Sequence, residues 1–268
     1  MHYHLAMMNN APARRSRPLG GWLRDLAVAG AFLTRLPFRP SAPVQMADLG
    51  PAARVFPLVG LIAGAFGGAA LWLAAQIDLH PMACGIIGLA ALAWVTGALH
   101  EDGLADFADG IGARDRTRRL EIMRDSRIGT FGVLALIFAI GIKATLLAGF
   151  LGPGLAAGAL IAAAAVSRGL VPALMFAMRP ARTDGLGQGA GRPSTGDLAT
   201  SLVFSILVAA LMLEAWPAFW ALVSAAAVTA WIGWLAQRRL GGYTGDVLGA
   251  AQQSAEVAIF IAAGAYAI

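Results

Sequence analysis

The hydrophobic pattern of the chain alternates long apolar runs with short polar segments. Seven of the runs are long enough for a helix that crosses the roughly 30 Å hydrocarbon core of a bilayer. These runs lie at residues 55–77, 83–99, 131–150, 154–178, 197–214, 217–236 and 248–268. The pattern predicts an all-α, polytopic membrane protein in which about seven transmembrane helices form one bundle.

The N-terminal part of the chain has a different pattern. Residues 1–20 contain Pro and Arg but no apolar run, and we predict a disordered arm. Residues 21–37 have apolar positions at helical spacing, with three charged residues among them. This spacing favours an amphipathic helix along the membrane interface, and a short first transmembrane helix is the alternative. Residues 21–268 are then expected to form a single membrane-embedded domain.

The composition is typical of a membrane protein, since the mean hydropathy is +0.69 and only 13% of residues are charged. The single cysteine, Cys84, excludes a disulfide framework and a cysteine-based metal motif. Two predicted spans contain runs of Gly and Ala, at residues 60–70 and 161–169. Small residues of this kind let helices approach each other closely in lipid.

The basic residues are sorted along the chain. Of the 20 Lys and Arg residues, 18 lie in the N-terminal region or in segments 100–130, 179–196 and 237–247. The intervening segments 78–82 and 151–153 contain none. By the positive-inside rule, the basic segments face the cytoplasm. The net charge of +5 therefore reflects membrane orientation, and we predict no nucleic-acid partner.

An acidic stretch follows the second predicted span, where residues 96–110 read TGALHEDGLADFADG. In a helix, Asp102, Asp106 and Asp109 fall within an arc of roughly 60° on one face. Three carboxylates so close together repel each other unless a hard cation lies between them. The stretch therefore predicts a divalent metal site for Mg²⁺ or Mn²⁺ at a membrane boundary. An ordinary solvated loop is the alternative.

Other residues of the acidic stretch are weaker candidates for a role in the site. His100 is a candidate general base near neutral pH, although the helical turn directs it away from the carboxylate face. Glu101 is treated only as a neighbour. Gly103 and Gly110 are poor helix formers, and we expect them to let the backbone approach a ligand closely.

Two further polar segments offer phosphate-binding chemistry. Arg124 and Arg127 are three residues apart, and their guanidinium groups match phosphate oxygens. Asp125 is a candidate metal ligand or a partner that orients an arginine. Asp246, in the segment GGYTGDVLGA, either completes the metal site or binds a ribose hydroxyl. A cytoplasmic loop without a site is the alternative for the arginines.

Other polar positions have structural as well as functional interpretations. The Gly-rich segment 179–196 lacks the Lys-Ser/Thr of a P-loop, and it is either a cover over a bound substrate or a plain connector. Lys143, Arg168 and Glu256 lie inside predicted spans, where isolated charges are unfavourable. We expect them to face the bundle interior, either as ion pairs or along the pathway of a transporter.

Four segments together resemble the cobalamin synthase family, the adenosylcobinamide-GDP ribazoletransferases. They are VFPLVG at 55–60, TGALHEDGLADFADG at 96–110, EIMRDSRIGTFGVLAL at 121–136 and GGYTGDVLGA at 241–250. Their order and spacing match over roughly residues 20–268. The acidic stretch is also similar to the aspartate-rich segment of CDP-alcohol phosphotransferases, but the full spacing of that family is absent.

The resemblance implies a Mg²⁺-dependent enzyme of the bacterial cell inner membrane. A hydroxyl of α-ribazole, or of its 5′-phosphate, would attack adenosylcobinamide-GDP at the phosphorus next to the aminopropanol arm. GMP would leave, and adenosylcobalamin or its 5′-phosphate would form. The implied metal ligands are Asp102, Asp106 and Asp109, and the implied phosphate ligands are Arg124 and Arg127. One carboxylate, or the nearby histidine, would accept the proton. The sequence leaves open whether the protein is a homo-oligomer.

Overall fold

The computed structural model describes residues 19–183 and 189–265, so the arm predicted for residues 1–20 lies almost entirely outside the described part. The helices are α1 (Leu19–Leu33), α2 (Leu49–Ala52) between 3₁₀ turns at Met46–Asp48 and Ala53–Val55, α3 (Phe56–Ala75), α4 (Pro81–Thr96), α5 (Leu99–Ile111), α6 (Arg116–Ile122), α7 (Thr130–Gly149), α8 (Pro153–Ala177), α9 (Thr195–Met212), α10 (Ala215–Leu240) and α11 (Gly245–Gly264). Extended pairing in the described ranges is limited to one β-bridge, between Pro180 and Tyr243. The prediction of an all-α fold is confirmed.

The long apolar helices correspond to the predicted spans. Within the described ranges, six helices are long and apolar enough to cross a membrane, and the first of them extends from Met46 to Ala75. The bent pair α4 and α5 raises the count to seven if the pair is one span. The prediction of about seven spans is thereby confirmed. The clearest difference in bounds is at α10, which continues to Leu240 and carries Arg238 and Arg239 in its last turn.

Helix α1 is attached to the segment that precedes α3. Arg24 pairs with Asp48 at 3.0 Å, and the buried Asp25 pairs with Arg54 at 2.6 Å. The helix has 15 residues, fewer than the roughly 20 that a transmembrane helix needs. This length agrees with the interfacial helix predicted for residues 21–37 and disfavours the alternative of a first span.

Helix α8 forms the centre of the bundle, with α3, α9 and α11 packed against it. Its closest neighbour is α3, because Gly60 and Gly64 face the backbone of α8 around Ile161 and Ala164. A Cβ atom on Gly60 would lie only 2.3 Å from the Ala164 carbonyl oxygen, so no larger residue fits. The predicted role of the small-residue runs in close helix packing is therefore confirmed.

A sharp turn joins α4 to α5 and changes the helix direction by 93°. Gly97 ends α4 with φ +66°, and Ala98 follows with φ +56°. A left-handed alanine is uncommon, and its amide is held by a hydrogen bond to the Ala93 carbonyl oxygen at 2.8 Å. Because α5 carries four carboxylates and departs from the direction of α4, we interpret α5 as the half of this bent pair that lies at the membrane boundary.

Arginine side chains connect the polar segments at the α5 end of the bundle. Arg116 on α6 donates to the carbonyl oxygens of Leu240 and Ala181. Arg119, also on α6, is buried and donates to the Arg239 carbonyl oxygen at 3.2 Å. These bonds satisfy carbonyl groups at the end of α10 that have no partner within the helix. Three basic segments that were predicted to share one side therefore meet at one end of the molecule.

Candidate active site

The site is organised by a backbone-to-backbone contact between α5 and α11. A Cβ atom added to Gly103 on α5 would lie 3.1 Å from both the Asp246 carbonyl oxygen and the Gly249 Cα. A Cβ atom on Gly249 would in turn lie 3.2 Å from the His100 carbonyl oxygen. Side chains larger than hydrogen would push these helices apart, so the two glycines set the spacing of the carboxylates around them.

Gly103 and Gly110 of the acidic stretch serve helix packing, which differs from the expectation that they let the backbone approach a ligand. Gly103 faces α11, as described above. Gly110 faces α6, where an added Cβ would meet the Met123 side chain at 2.7 Å and the Arg119 carbonyl oxygen at 3.0 Å. The physical reason is that glycine has no side chain. Helix α5 can therefore pack closely against α11 at Gly103 and against α6 at Gly110.

Four carboxylates share a partly exposed surface at this contact. Asp102, Asp106 and Asp109 lie on α5, and Asp246 lies in the first turn of α11. The pKa of Asp106 is raised from its ordinary 3.8 to about 7. Burial is the largest cause, and the negative charges of Asp102, Asp246 and Asp109 follow it. The site thus concentrates negative charge in a way that favours a bound cation.

Asp109 also has a structural role that the sequence did not indicate. Its two carboxylate oxygens accept hydrogen bonds from the backbone N–H groups of Gly129 at 2.6 Å and Gly132 at 2.8 Å. These groups lie at the start of α7, where amide donors have no partner within the helix. Asp109 therefore holds the N-terminus of α7 against α5.

The donor atoms of the cluster fit a Mg²⁺ ion whose shell is completed by other ligands. All four side chains offer carboxylate oxygens, the donors that Mg²⁺ prefers. In the described residues, however, no three Asp, Glu, His or Cys side chains converge closely enough to hold a metal alone. Mg²⁺ commonly takes only one or two carboxylates and fills its shell with water and substrate phosphates. Each carboxylate oxygen of Asp109 retains a lone pair beyond the one hydrogen bond that it accepts.

Arg182 joins the site from the segment after α8, and no local pattern beyond its charge singled it out. Its Nη2 lies 3.7 Å from Asp246 Oδ2 and donates to the Leu120 carbonyl oxygen at 3.1 Å. Its charge opposes the rise in the pKa of Asp106. Thr244 caps α11 and donates to Asp246 Oδ2 at 3.0 Å. Asp246 is thus fixed by two partners beside the α5 carboxylates.

The predicted phosphate-binding arginines lie in the turn between α6 and α7. Arg127 and Asp125 pair with each other at 2.6 Å on the surface. This pairing lowers the pKa of Asp125 to about 2. Arg124 is exposed in the same turn. The turn is connected to the carboxylate cluster by the hydrogen bond from the Gly129 N–H to Asp109. Asp125 pairs with Arg127 and not with the cluster.

The three charged residues inside the spans form a buried network. Glu256 accepts from Lys143 Nζ at 3.0 Å and from Arg168 Nη1 at 3.2 Å. Gln252 donates to the same carboxylate at 2.7 Å. The expectation that these charges face the interior as ion pairs is confirmed. Because both cations are paired with Glu256 in the packed interior, they give no support to a transporter pathway.

His100 and Glu101 connect the acidic helix to this network. His100 is buried, and its Nδ1 lies 3.5 Å from Arg168 Nη2. Burial and the nearby charges of Arg168 and Lys143 hold the pKa of His100 well below 6.5. Glu101 accepts a hydrogen bond from Gln253 Nε2 at 3.0 Å. Glu101 is therefore a structural link between α5 and α11, which corrects its treatment as a mere neighbour.

A cavity of about 160 Å³ opens beside the carboxylates. Asp102 and Asp246 line it on the α5 and α11 side, and His100 and Arg168 also border it. The remaining lining is mostly apolar and comes from α1, α3 and α8. The site therefore combines a charged surface with an adjoining apolar space.

Comparison with known proteins gives a family relationship over nearly the whole chain. The profile of the cobalamin-5-phosphate synthase family matches residues 25–264. The chain belongs to this family. The matched range includes all four carboxylates, the arginine turn and the buried network.

Three relatives of this chain within the cobalamin-5-phosphate synthase family share one name. An adenosylcobinamide-GDP ribazoletransferase of Bradyrhizobium diazoefficiens is 41% identical over 245 residues, which are 91% of this chain and 94% of that protein. Its counterpart from Rhizobium etli is 42% identical over 250 residues, 89% of this chain and 95% of that protein. The Brucella anthropi protein of the same name is 41% identical and covers 92% and 96%, respectively. No solved structure matches the chain.

Proposed function

We propose that this protein is an adenosylcobinamide-GDP ribazoletransferase acting late in cobalamin biosynthesis. A hydroxyl oxygen of α-ribazole, or of its 5′-phosphate, attacks the phosphorus bonded to the aminopropanol arm of adenosylcobinamide-GDP. A new P–O bond forms, and the P–O bond to the GMP portion breaks. The hydroxyl proton is released, GMP leaves, and the product is adenosylcobalamin or its 5′-phosphate.

The observation that carries this proposal is the family match over residues 25–264, together with relatives of the same name at about 41% identity. The structure adds a chemical reason, because transfer of a phosphoryl group needs positioning and neutralisation of charge more than covalent chemistry. Four carboxylates and several arginines at one end of the bundle supply both.

The carboxylates are proposed to position the pyrophosphate through a shared cation. Mg²⁺ would be held by one or two carboxylates from the set Asp102, Asp106 and Asp109, together with water and substrate oxygens, and Asp246 would contribute at the edge of the same surface. When bound, Mg²⁺ would neutralise the pyrophosphate and help GMP to depart. Asp109 would keep its second task of anchoring α7, so it fixes the position of the metal-binding helix relative to its neighbour.

The basic residues are proposed to bind the anionic parts of the substrates. Arg124 and Arg127 lie in the turn that Asp109 anchors, where exposed guanidinium groups suit phosphate oxygens. Asp125 would orient Arg127, its partner at 2.6 Å. Arg182 reaches the carboxylate surface directly and is an additional candidate for contact with the pyrophosphate.

The proton of the attacking hydroxyl is proposed to pass to a carboxylate of the cluster. His100 is the less favourable base, because it is buried against Arg168 and its pKa is held well below 6.5. A group with so low a pKa is a weak proton acceptor near neutral pH. We therefore place His100 in the support of the site rather than at the reacting atoms.

The location is proposed to be the bacterial cell inner membrane, with this end of the bundle facing the cytoplasm. The argument is the concentration of Lys and Arg in the segments that meet there. Lipid would surround the exposed apolar surfaces of the outer helices.

Activity of the purified protein in lipid tests the proposal. With Mg²⁺, adenosylcobinamide-GDP and α-ribazole, we expect release of GMP that stops when EDTA is added and returns with excess Mg²⁺. Absence of GMP release from correctly folded protein would refute the proposed reaction.

The Asp106→Asn variant tests the role of the carboxylates. We expect GMP release to fall by about 100-fold or more, because charge at a phosphoryl-transfer centre is lost. The matched control is Asp78→Asn, which makes the same change at an exposed position in the turn between α3 and α4. Near-normal turnover by Asp106→Asn would exclude it as an essential metal ligand.

A further inference from the structure

The apolar cavity beside the carboxylates has a defined shape along α8. Arg168, Val171 and Met175 all line it, and their spacing of three and four residues places them on one stripe of the helix. Arg168 lies about 10 Å along the helix axis from Met175. Met175 is near the end of α8 that faces the site, so the cavity extends from the polar end of the molecule into the bundle.

The walls of the cavity suit an apolar ring. The apolar lining includes Phe32 and Leu33 of α1, Phe56 of α3, and Val171 and Met175 of α8. The volume is about 160 Å³. An apolar cavity of roughly 150 Å³ lined by aliphatic and aromatic side chains is large enough to bind benzene. A planar aromatic ring system therefore matches both the size and the chemistry of this space.

Arg168 brings a charged side chain to the buried part of the cavity. The side chain is 1% exposed and lines the cavity. Its Nη1 is bound by Glu256 and the Ala164 carbonyl oxygen, whereas its Nε is buried and has no hydrogen-bond partner. A buried donor left without an acceptor is unfavourable. A ligand with an acceptor atom on its ring would therefore be favoured over a purely hydrocarbon one.

We propose that this cavity binds the benzimidazole ring of α-ribazole and that Arg168 recognises the ring nitrogen not bonded to the ribose. This assignment rests on the proposed function. With the ring between α1 and α8, the ribose lies at Asp102 and Asp246, which line the same cavity. The attacking oxygen is then held beside the carboxylates, and the pyrophosphate of the second substrate approaches from the exposed side.

Filling the cavity is the first test. Val171→Phe adds a ring to the wall, and we expect the KM for α-ribazole to rise at least about 10-fold, since the aromatic ring loses its space. The KM for adenosylcobinamide-GDP should stay within about twofold. Ala173→Leu is the matched control, because Ala173 lies on α8 at the same level, is half-buried and does not border the cavity.

A substrate analogue gives a second test that does not depend on the folding of a variant. In the α-linked riboside of 5,6-dimethylindole, a C–H group replaces the acceptor nitrogen while the ring shape is kept. We expect the unaltered enzyme to show a KM about 10-fold or more higher for this analogue, because a hydrogen bond to a charged group is lost.

The outcomes separate the two levels of the proposal. Equal KM values for the indole and benzimidazole nucleosides would overturn recognition by Arg168. A Val171→Phe variant that raises only the KM for adenosylcobinamide-GDP, or neither KM, would overturn the cavity assignment while GMP release persists. Failure of the unaltered enzyme to release GMP with either nucleoside would instead overturn the reaction itself.

Discussion

Single side chains in this protein often serve two partners at once. Asp109 is the clearest case, since it belongs to the carboxylate surface and also binds the amides of Gly129 and Gly132. The ionised carboxylate of Asp106 is instead destabilised, because the negative charges of Asp102 and Asp246 oppose its ionisation. Two aspartates three residues apart on one helix therefore differ in their effect on stability.

This difference predicts opposite effects on the thermal midpoint in detergent. Asp109→Asn should lower the free energy of unfolding by about 1–3 kcal/mol, because one buried N–H loses its acceptor. Asp106→Asn removes mutual repulsion among the carboxylates, so its midpoint measured without Mg²⁺ should equal or exceed that of the unaltered protein. Equal losses of stability in the two variants would contradict this distinction.

The buried Glu256 is expected to be the most sensitive single position in the spans. Its substitution by Gln leaves Lys143 and Arg168 without their anion, and removal of one partner from a buried ion pair typically costs about 3–5 kcal/mol. Glu256→Gln should therefore reduce folded yield and the thermal midpoint sharply. Adding Lys143→Met should recover part of the loss, because one unpaired cation is removed. An additive double variant would show that the network is not coupled.

At the scale of elements, the spacing of α5 and α11 controls the site. The contact depends on Gly103 and Gly249, which bring backbone atoms together where side chains would normally stand. The same device holds α3 to α8 through Gly60. In the first case the close approach aligns Asp102 with Asp246, and in the second it builds the bundle core.

Gly249→Ala tests the first of these contacts. The added methyl group meets backbone atoms at 3.1 to 3.3 Å, so α5 has to shift by a few tenths of an ångström. We expect kcat/KM for GMP release to fall by about 10-fold, since small displacements at a reacting centre are costly. Gly141→Ala on α7 is the control, because nothing lies within 4 Å of its added Cβ. Equal activity of both variants would show that activity does not depend on the close contact between α5 and α11.

At the scale of the whole molecule, charge and hydropathy along the chain were sufficient to predict the bundle. Apolar runs predicted the spans because a bilayer imposes a minimum helix length. The 93° turn at Gly97 and Ala98 was not predicted, because the local sequence does not show which residues will hold a left-handed alanine. The run of small residues around Gly60 did predict close packing, since lipid leaves few other means of helix association.

The candidate site was predicted in part. Asp102, Asp106 and Asp109 share a face because helix geometry fixes their spacing. The structure brings Asp246, a candidate from the segment GGYTGDVLGA, to the same surface. Contacts distant in sequence were not accessible from local patterns. The approach of Arg182 to Asp246, for example, depends on how the segment after α8 folds over α11.

The proposed membrane orientation predicts distinct labelling of the two ends of the bundle. In a Cys84→Ala background, Ser126→Cys lies in the exposed arginine turn and Gln76→Cys lies in the exposed turn after α3. An impermeant maleimide should label Cys introduced at position 76 in cells with a permeabilised outer membrane. The position in the arginine turn should react only in inverted inner-membrane vesicles. The reverse pattern would place the site on the periplasmic side.

The buried network also bears on how the protein is made. Lys143 and Arg168 leave the ribosome before Glu256, and they remain without their carboxylate until α11 is synthesised. The same last helix carries Asp246 into the site. A chain that stops before α11 therefore leaves two uncompensated cations in the bilayer and an incomplete site, and it is exposed to removal by membrane proteases. The pairing of the buried cations and the assembly of the carboxylate surface therefore both depend on α11.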